Sequence, residues 1–272
     1  MVLKCRNRTR VRNARHGLTL LELVVVLTIL VAIAGILVPL LPNFLHRANV
    51  ASCVTNISEL DKLIQTQQNL NAAYPDHMDN LVIGSGLATY ALTGATGEFK
   101  QASYTAGSLT TDEAAALTNA GITSVANLVE NAGGDWRPTA WPYSSGETTQ
   151  PTFTPVDSSL KVATLTPFGA QLLGLPNATN YKYVIFGLNK PCTLFRNLAT
   201  EAPYHFADTP TEDPATYYMC FGAVFIVTRD VSGSPQTLEN AKFMGSFAFH
   251  DFGLATADSH TKEWWDQNKN DR

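Results

Sequence analysis

The chain has 272 residues, of which 45% are hydrophobic and 15% are charged, so it is long enough to fold as one large or two small domains with a substantial core. Its formal charge is −4, but six of its 19 Lys and Arg residues lie within the first 17 residues, which contain no Asp or Glu. The remainder has 13 basic against 23 acidic residues, a net charge near −10, which argues against nucleic acid as a partner.

The first predicted element is a membrane-spanning helix at residues 18–41. This run has 24 residues and one charge, Glu22. At about 1.5 Å per residue such a helix is about 36 Å long, enough to cross a hydrocarbon core of about 30 Å. The basic residues before it favour a cytoplasmic position for residues 1–17, so everything beyond Pro42 is predicted to be exported.

Glu22 is the unusual residue of this run. A carboxylate within a membrane span is unfavourable by roughly 2.5 kcal/mol or more, so an acid there is a functional hypothesis that requires a partner. Two alternatives give Glu22 no function: a signal anchor that happens to contain an acid, and a secretory signal peptide cut after Ala34. The second fits poorly because the apolar segment is too long for a signal peptide and contains the acid.

The residues from Gly17 to Glu22 resemble the N-terminus of a type IV prepilin or a type II secretion pseudopilin. The resemblance extends over about residues 12–42 and implies a basic leader, residues 1–17, that prepilin peptidase removes after Gly17. It also implies N-methylation of Leu18, which stands where the family usually has Phe. By the same resemblance, Thr19 and Glu22 are assembly residues. The free amine of one subunit would then pair with Glu22 of its neighbour and fix the axial register.

Two prolines follow the apolar run and predict a change in the helix. Pro39 removes a hydrogen bond toward Gly35, and Pro42 does the same toward Val38, so a kink or local melting is expected here. Gly35 lies near a position where many family members have glycine. Apolar residues then recur at three- and four-residue steps, which predicts an amphipathic continuation of the helix over residues 42–73.

Cysteine usage suggests one disulfide in an oxidising compartment. Cys5 belongs to the leader, which leaves Cys53, Cys192 and Cys220. The predicted bridge joins Cys192 to Cys220, because Cys220 lies in a strand-like run and Cys192 just follows another such run. Cys53 falls on the apolar face of the amphipathic helix, which favours a small core residue. Three unpaired, buried cysteines are the alternative.

The middle of the chain predicts two short helices. Thr110 and Glu113 have the spacing of a capping box before a helix at residues 114–119. A second helix is predicted over residues 125–130. Their resemblance to a DNA-binding helical hairpin carries little weight, because there is no Lys or Arg between Lys100 and Arg137.

The last third contains the clearest strands. Residues 182–188, 217–229 and 242–250 are rich in aromatic and β-branched residues, and turn residues over 230–235 separate the last two. The predicted fold class is α+β: a long N-terminal helix packed on a C-terminal antiparallel sheet, in a globular domain at residues 74–272. This arrangement is similar to the pilin fold.

No catalytic or cofactor motif is present: the sequence lacks G-x-S-x-G, H-E-x-x-H, a Walker loop and C-x-x-C. We therefore predict no enzyme activity, no cofactor and no metal site. The resemblance implies a structural subunit of a filament, preferably a type II secretion pseudopilin, anchored in the inner membrane and later part of a periplasmic or surface filament. Its expected partners are copies of itself, other pilin-like subunits, prepilin peptidase, the inner-membrane assembly platform and, before assembly, the lipid bilayer. A type IV pilin for adhesion or motility and a membrane-anchored envelope binding or hydrolytic protein remain alternatives.

Overall fold

The computed structural model describes residues 20–38, 41–83, 86–87, 103–130, 136–138, 152–176, 180–199, 202–203, 220–250 and 253–255. The chain divides into two compact units, residues 1–45 and 46–272. The described helices are α1 (Leu20–Leu37), α2 (Leu41–Asn71), α3 (Thr111–Asn119), α4 (Pro167–Leu172) and α5 (Thr193–Asn197).

Helix α2 is amphipathic where it belongs to the second unit. Its buried residues recur at helical spacing and join one hydrophobic cluster of the core; they are Cys53, Ile57, Leu60 and Ile64. The helix ends at Asn71, before Tyr74 and Pro75, as the sequence predicts. Leu70, which the spacing places on the buried face, is instead 68% exposed because it lies in the last turn.

The described strands are β1 (Met78–Asn80), β2 (Val82–Ile83), β3 (Gly86–Leu87), β4 (Tyr104–Ser108), β5 (Ser124–Glu130), β6 (Trp136–Pro138), β7 (Phe153–Pro155), β8 (Lys161–Leu165), β9 (Lys182–Leu188), β10 (Phe221–Val231), β11 (Ser234–His250) and β12 (Gly253–Ala255). Ten of them form one sheet whose main path runs β12-β11-β10-β9-β1-β5-β6. Strands β4, β7 and β8 pair off this path, and β2 pairs with β3 in a separate hairpin.

The predicted α+β class is confirmed, but the sheet is mixed rather than antiparallel. Strand β1 pairs with β5 in parallel, whereas the pairs of β9, β10 and β11 are antiparallel. Residues 125–130, predicted as a helix, form β5, because backbone pairing with β1, β6 and β7 stabilises the extended conformation. Tertiary pairing overrides a short helical pattern here.

Both faces of the sheet are buried at its central strand β9. Along β9, Val184 and Phe186 join the cluster that contains the apolar residues of α2, while Tyr183 and Ile185 join a second cluster with Ala170 of α4. Alternate residues of a strand point to opposite faces, so a strand buried on both faces is apolar throughout. This explains why the sequence predicts β9 with its observed bounds.

The β10–β11 hairpin is tighter than predicted. Asp230 pairs with Pro235 and Val231 with Ser234, so the loop consists of Ser232 and Gly233 alone. Both have positive φ, +55° and +85°, which is the backbone that two-residue hairpin loops with the right-handed strand twist require. Asp230 Oδ1 accepts the Gly233 N–H at 2.7 Å and completes the turn.

Helix α3 begins with the predicted capping box. The Thr110 hydroxyl accepts the Glu113 N–H at 3.2 Å, and Glu113 Oε2 accepts the Thr110 N–H at 2.8 Å. The same carboxylate accepts Lys182 Nζ of β9 at 2.6 Å and the Thr228 hydroxyl of β10 at 3.1 Å. One side chain therefore caps the helix and ties it to two central strands.

The electrostatic balance at Glu113 favours the ionised form. Burial acts to raise the pKa of this carboxyl, but the hydrogen bonds from Lys182, Thr110 and Thr228 and the charge of Lys182 outweigh it and hold the pKa below its ordinary value. The carboxylate therefore stabilises the fold at pH values above 4.5, the ordinary value, and this stabilisation is lost as the pH falls through the lowered pKa.

We expect Glu113→Ala to lower the free energy of unfolding by about 2 to 3 kcal/mol at pH 7, because it removes a helix cap and leaves the Lys182 ammonium without its carboxylate. The measurement is urea unfolding of the full-length protein in detergent, with Asp112→Ala, an exposed acid of the same helical turn, as control. The difference between wild type and Glu113→Ala should shrink below pH 4.5. Equal free energies of unfolding for the wild type and Glu113→Ala at pH 7 would contradict this role.

Candidate functional site

The predicted processing and assembly segment lies partly outside the described residues. Gly17, Leu18 and Thr19 fall outside them, as does Pro39. Glu22 and Gly35 lie in α1, and Pro42 is the second residue of α2. The described part of the segment is therefore α1 and the start of α2.

Helix α1 exposes apolar side chains on every side. None of its residues is buried, and Leu20, Leu21 and Val31 are 80%, 75% and 70% exposed. A helix that is apolar all round does not pack one face on a protein core, so it requires a lipid or a protein environment that covers its whole circumference. Among the described residues, α1 is the one helix long and apolar enough to cross a membrane.

The polar groups within α1 are few. The Thr28 hydroxyl donates to the Val24 carbonyl at 2.8 Å, so the helix itself satisfies this group, as an apolar surrounding requires. Glu22 is the one charged residue of α1.

Two helices are described on either side of residues 39 and 40, which lie outside the described residues. Helix α1 ends at Leu37, where the Val38 N–H donates to the Ala34 carbonyl at 3.0 Å, and α2 begins at Leu41. Pro42 is the second residue of α2, a position that accommodates proline. The kink predicted at Pro39 and Pro42 stays a prediction, because Pro39 lies outside the described residues. At Gly35 an added Cβ would meet no atom within 4 Å.

The predicted disulfide between Cys192 and Cys220 is not formed. Both side chains are fully buried thiols that belong to different hydrophobic clusters, Cys192 to the one with α2 and Cys220 to the one with α4. Cys53 is likewise a buried core residue. Burial in an apolar setting raises the pKa of Cys192 far above its ordinary value, so this thiol stays protonated.

A carboxylate that the sequence reading missed organises the loops after α2. Asp76 Oδ1 accepts the N–H groups of His77, Thr123 and Ser124 at 2.9 to 3.0 Å, and the Asp76 N–H donates to the Thr193 hydroxyl at 2.8 Å. Its turn position after Pro75 is an ordinary place for Asp, and only tertiary structure shows what it binds. These partners make Asp76 a structural hub.

The described part of the chain contains no group of three or more His, Cys, Asp or Glu residues arranged to hold a metal ion. The ring of His77 stacks on Phe153 with centroids 4.1 Å apart, and its Nε2 lies 3.9 Å from Asp76 Oδ2. His77 and Asp76 therefore contact neighbouring side chains and backbone of the described loops. The distinctive chemistry of the chain remains that of α1 and Glu22.

Comparison with known proteins points to the same segment, α1 and Glu22. The family described as "Prokaryotic N-terminal methylation motif" matches residues 12–38, which include Gly17, Leu18, Glu22 and α1 up to Leu37. No curated protein and no solved structure matches the chain. Residues 12–38 are thus a prokaryotic N-terminal methylation segment, the signature of type IV prepilins and pseudopilins.

Proposed function

We propose that the chain is a structural subunit of a type IV pilus-like filament, and within that class a type II secretion pseudopilin. The observation that carries the proposal is a single carboxylate, Glu22, in the first turn of a helix that is apolar and exposed on every side, within the matched motif. An acid in such a helix is unfavourable in lipid alone. In a filament core the terminal amine of a neighbouring subunit can pair with it.

In this proposal prepilin peptidase cuts between Gly17 and Leu18 and methylates the new amine. The positive charge of the leader keeps residues 1–17 in the cytoplasm, and the globular unit lies on the other side of the membrane. Before assembly α1 spans the inner membrane. An inner-membrane assembly platform then extracts the subunit, and its helix packs among the helices of other pilin-like subunits.

The amine of Leu18 and the carboxylate of Glu22 provide the register. Two opposite charges about 4 Å apart attract strongly in a low-dielectric filament core, while an unpaired charge there is disfavoured. Among axial offsets of neighbouring helices, the favoured one brings the amine of one subunit to Glu22 of the next. Burial of the apolar side chains of α1 adds attraction without direction, so the ion pair decides the offset.

The acidic composition supports a secretion filament over a filament that grips DNA, because a phosphate-binding surface requires clustered basic residues. Deletion of the chain followed by analysis of secreted proteins tests the finer assignment. Loss of secretion with normal surface motility supports a pseudopilin. Loss of motility or adhesion with normal secretion supports a type IV pilin instead.

We expect Gly17→Val to prevent processing, because a branched side chain at the cleavage position obstructs the peptidase. The variant should accumulate as a membrane-bound precursor, whereas the wild-type protein should begin with N-methyl-Leu18. Intact-mass and N-terminal peptide mass spectrometry measure both. A Gly35→Val variant is the control, since this glycine lies within the same segment but away from the cut. A wild-type protein that begins at Met1, or beyond Ala34, would refute the processing site.

We expect Glu22→Ala to leave cleavage intact and to lower the amount of filament at least about tenfold, because the terminal amine then lacks its partner in low dielectric. Filaments are counted by electron microscopy after shearing, and the processed fraction is measured on a gel. Thr28→Val is the matched control: it changes a polar group of the same helix that bonds only to its own backbone. Normal filament numbers in Glu22→Ala would rule out the register role.

A further inference from the structure

The outer edge of β11 is a strand edge inside the globular unit. On one side β11 pairs with β10 over most of its length, whereas on the other side β12 pairs only with residues Ala248 to His250. Residues 243–247 therefore have no strand partner on this side among the residues that the structure describes. In general, unpaired backbone groups at a strand edge are a template on which the strand of another chain can add.

A β-bulge changes which backbone groups this edge presents. Val224 pairs with Gly245 and Phe225 with Phe243, so Met244 is an extra residue, and Gly245 has φ +147°. In a regular strand the N–H groups on one edge recur every second residue. With one residue inserted, the N–H groups of Phe243 and Ser246, three positions apart, are both available away from β10.

Two side chains occupy these N–H groups. Ser246 N donates to Asp61 Oδ1 of α2 at 2.6 Å, and Phe243 N donates to the hydroxyl of Tyr74, just beyond α2, at 3.2 Å. The Tyr74 ring is held in place by Phe225, with centroids 5.3 Å apart in an edge-to-face arrangement. The Tyr74 acceptor is thus fixed by the core, and the Asp61 acceptor is carried by helix α2.

A third side chain binds the same strand farther along. The register passes from Ile226–Lys242 to Thr228–Thr237, so residues 238–241 bulge out of the strand. Within this excursion the Glu239 carbonyl accepts Asn119 Nδ2 of α3 at 3.1 Å. The edge from residue 239 to residue 246 is therefore bent at two places and bonded at three by side chains.

We propose that Asp61, Tyr74 and Asn119 block strand addition to β11 by a second copy of the chain. Each of them occupies a backbone group that an added strand would use. Two of these groups are N–H donors, and their acceptors cannot be replaced by a strand unless the side chains move away. An exposed edge that keeps its hydrogen bonds internal does not reward association.

The position of Asp61 supports a blocking role. Burial raises the pKa of its carboxyl above the ordinary value, although hydrogen bonding with Ser246 favours the charged form. The folded state therefore holds this charge in a partly desolvated place against a penalty. On β11, the apolar side chain of Met244 is 38% exposed. Without the blocking side chains, this exposed residue would favour contact with another strand.

This inference stands apart from the proposed filament. It concerns self-association through the sheet of the globular unit, whereas assembly in the proposed function occurs through α1. Both experiments below use the full chain in detergent micelles, which cover α1. Their outcome is then independent of whether Glu22 supports a filament.

The first experiment measures amide exchange at the edge. Asp61→Ala should speed hydrogen exchange of the Ser246 N–H, and Tyr74→Phe that of the Phe243 N–H, each about tenfold, because each amide loses its acceptor. Asp61→Asn keeps an acceptor oxygen and should stay near the wild-type rate. Glu59→Ala, an exposed acid of the same helix, is the control. Unchanged exchange in both Asp61→Ala and Tyr74→Phe would overturn the proposal.

The second experiment measures the blocking itself. Met244→Cys is placed in a Cys5→Ser background, where Cys53, Cys192 and Cys220 are buried, and mild oxidation traps two edges that pair side by side. Adding Asp61→Ala or Tyr74→Phe should raise the disulfide-linked dimer at least about fivefold, and adding Asp61→Asn should not. Tyr74→Phe keeps the ring in the core, so a folded variant is retained if Asp61→Ala fails to fold. Equal dimer with and without Tyr74→Phe would overturn the proposal.

Discussion

The proposed assembly depends on one physical constraint, a carboxylate placed among apolar side chains. Glu22 lies in a helix whose side chains are exposed and apolar on every side. A carboxylate in lipid carries a penalty of roughly 2.5 kcal/mol or more. This penalty favours a state in which an amine lies close to the acid.

In the globular unit, by contrast, the buried carboxylates form their hydrogen bonds within the unit. Glu113 binds Lys182 and Thr228 of two central strands, and Asp76 accepts three backbone N–H groups of neighbouring loops. Each carboxylate offsets its desolvation by several hydrogen bonds within the same unit. The unit therefore satisfies these charges within itself. The proposed assembly depends instead on α1, which has no buried residue.

The sequence predicted those parts of the fold whose signal is local. The apolar span, the capping box at Thr110 and Glu113 and the doubly buried strand β9 each depend on residues close together in the chain, and each is observed. Residues 125–130 were assigned to a helix because the pattern of a short apolar run does not distinguish helix from strand, and the pairing with β1 that decides it is distant in sequence. The Cys192–Cys220 disulfide failed for a related reason, since adjacency to strands does not reveal which face of the sheet a thiol occupies. Asp61 and Asp76 gave no signal because their partners lie far away along the chain.

The ion pair itself can be observed by solid-state NMR on filaments assembled from two subunit populations, one with ¹⁵N at the α-amine of Leu18 and the other with ¹³C at the carboxylate of Glu22. Each population carries only one of the two labels, so any dipolar coupling between them arises between subunits. The account predicts a coupling that corresponds to a nitrogen-to-carbon distance of roughly 4 Å, the reach of a salt bridge. Well-formed filaments that show no such coupling would contradict the claim that Glu22 and the neighbouring amine set the register.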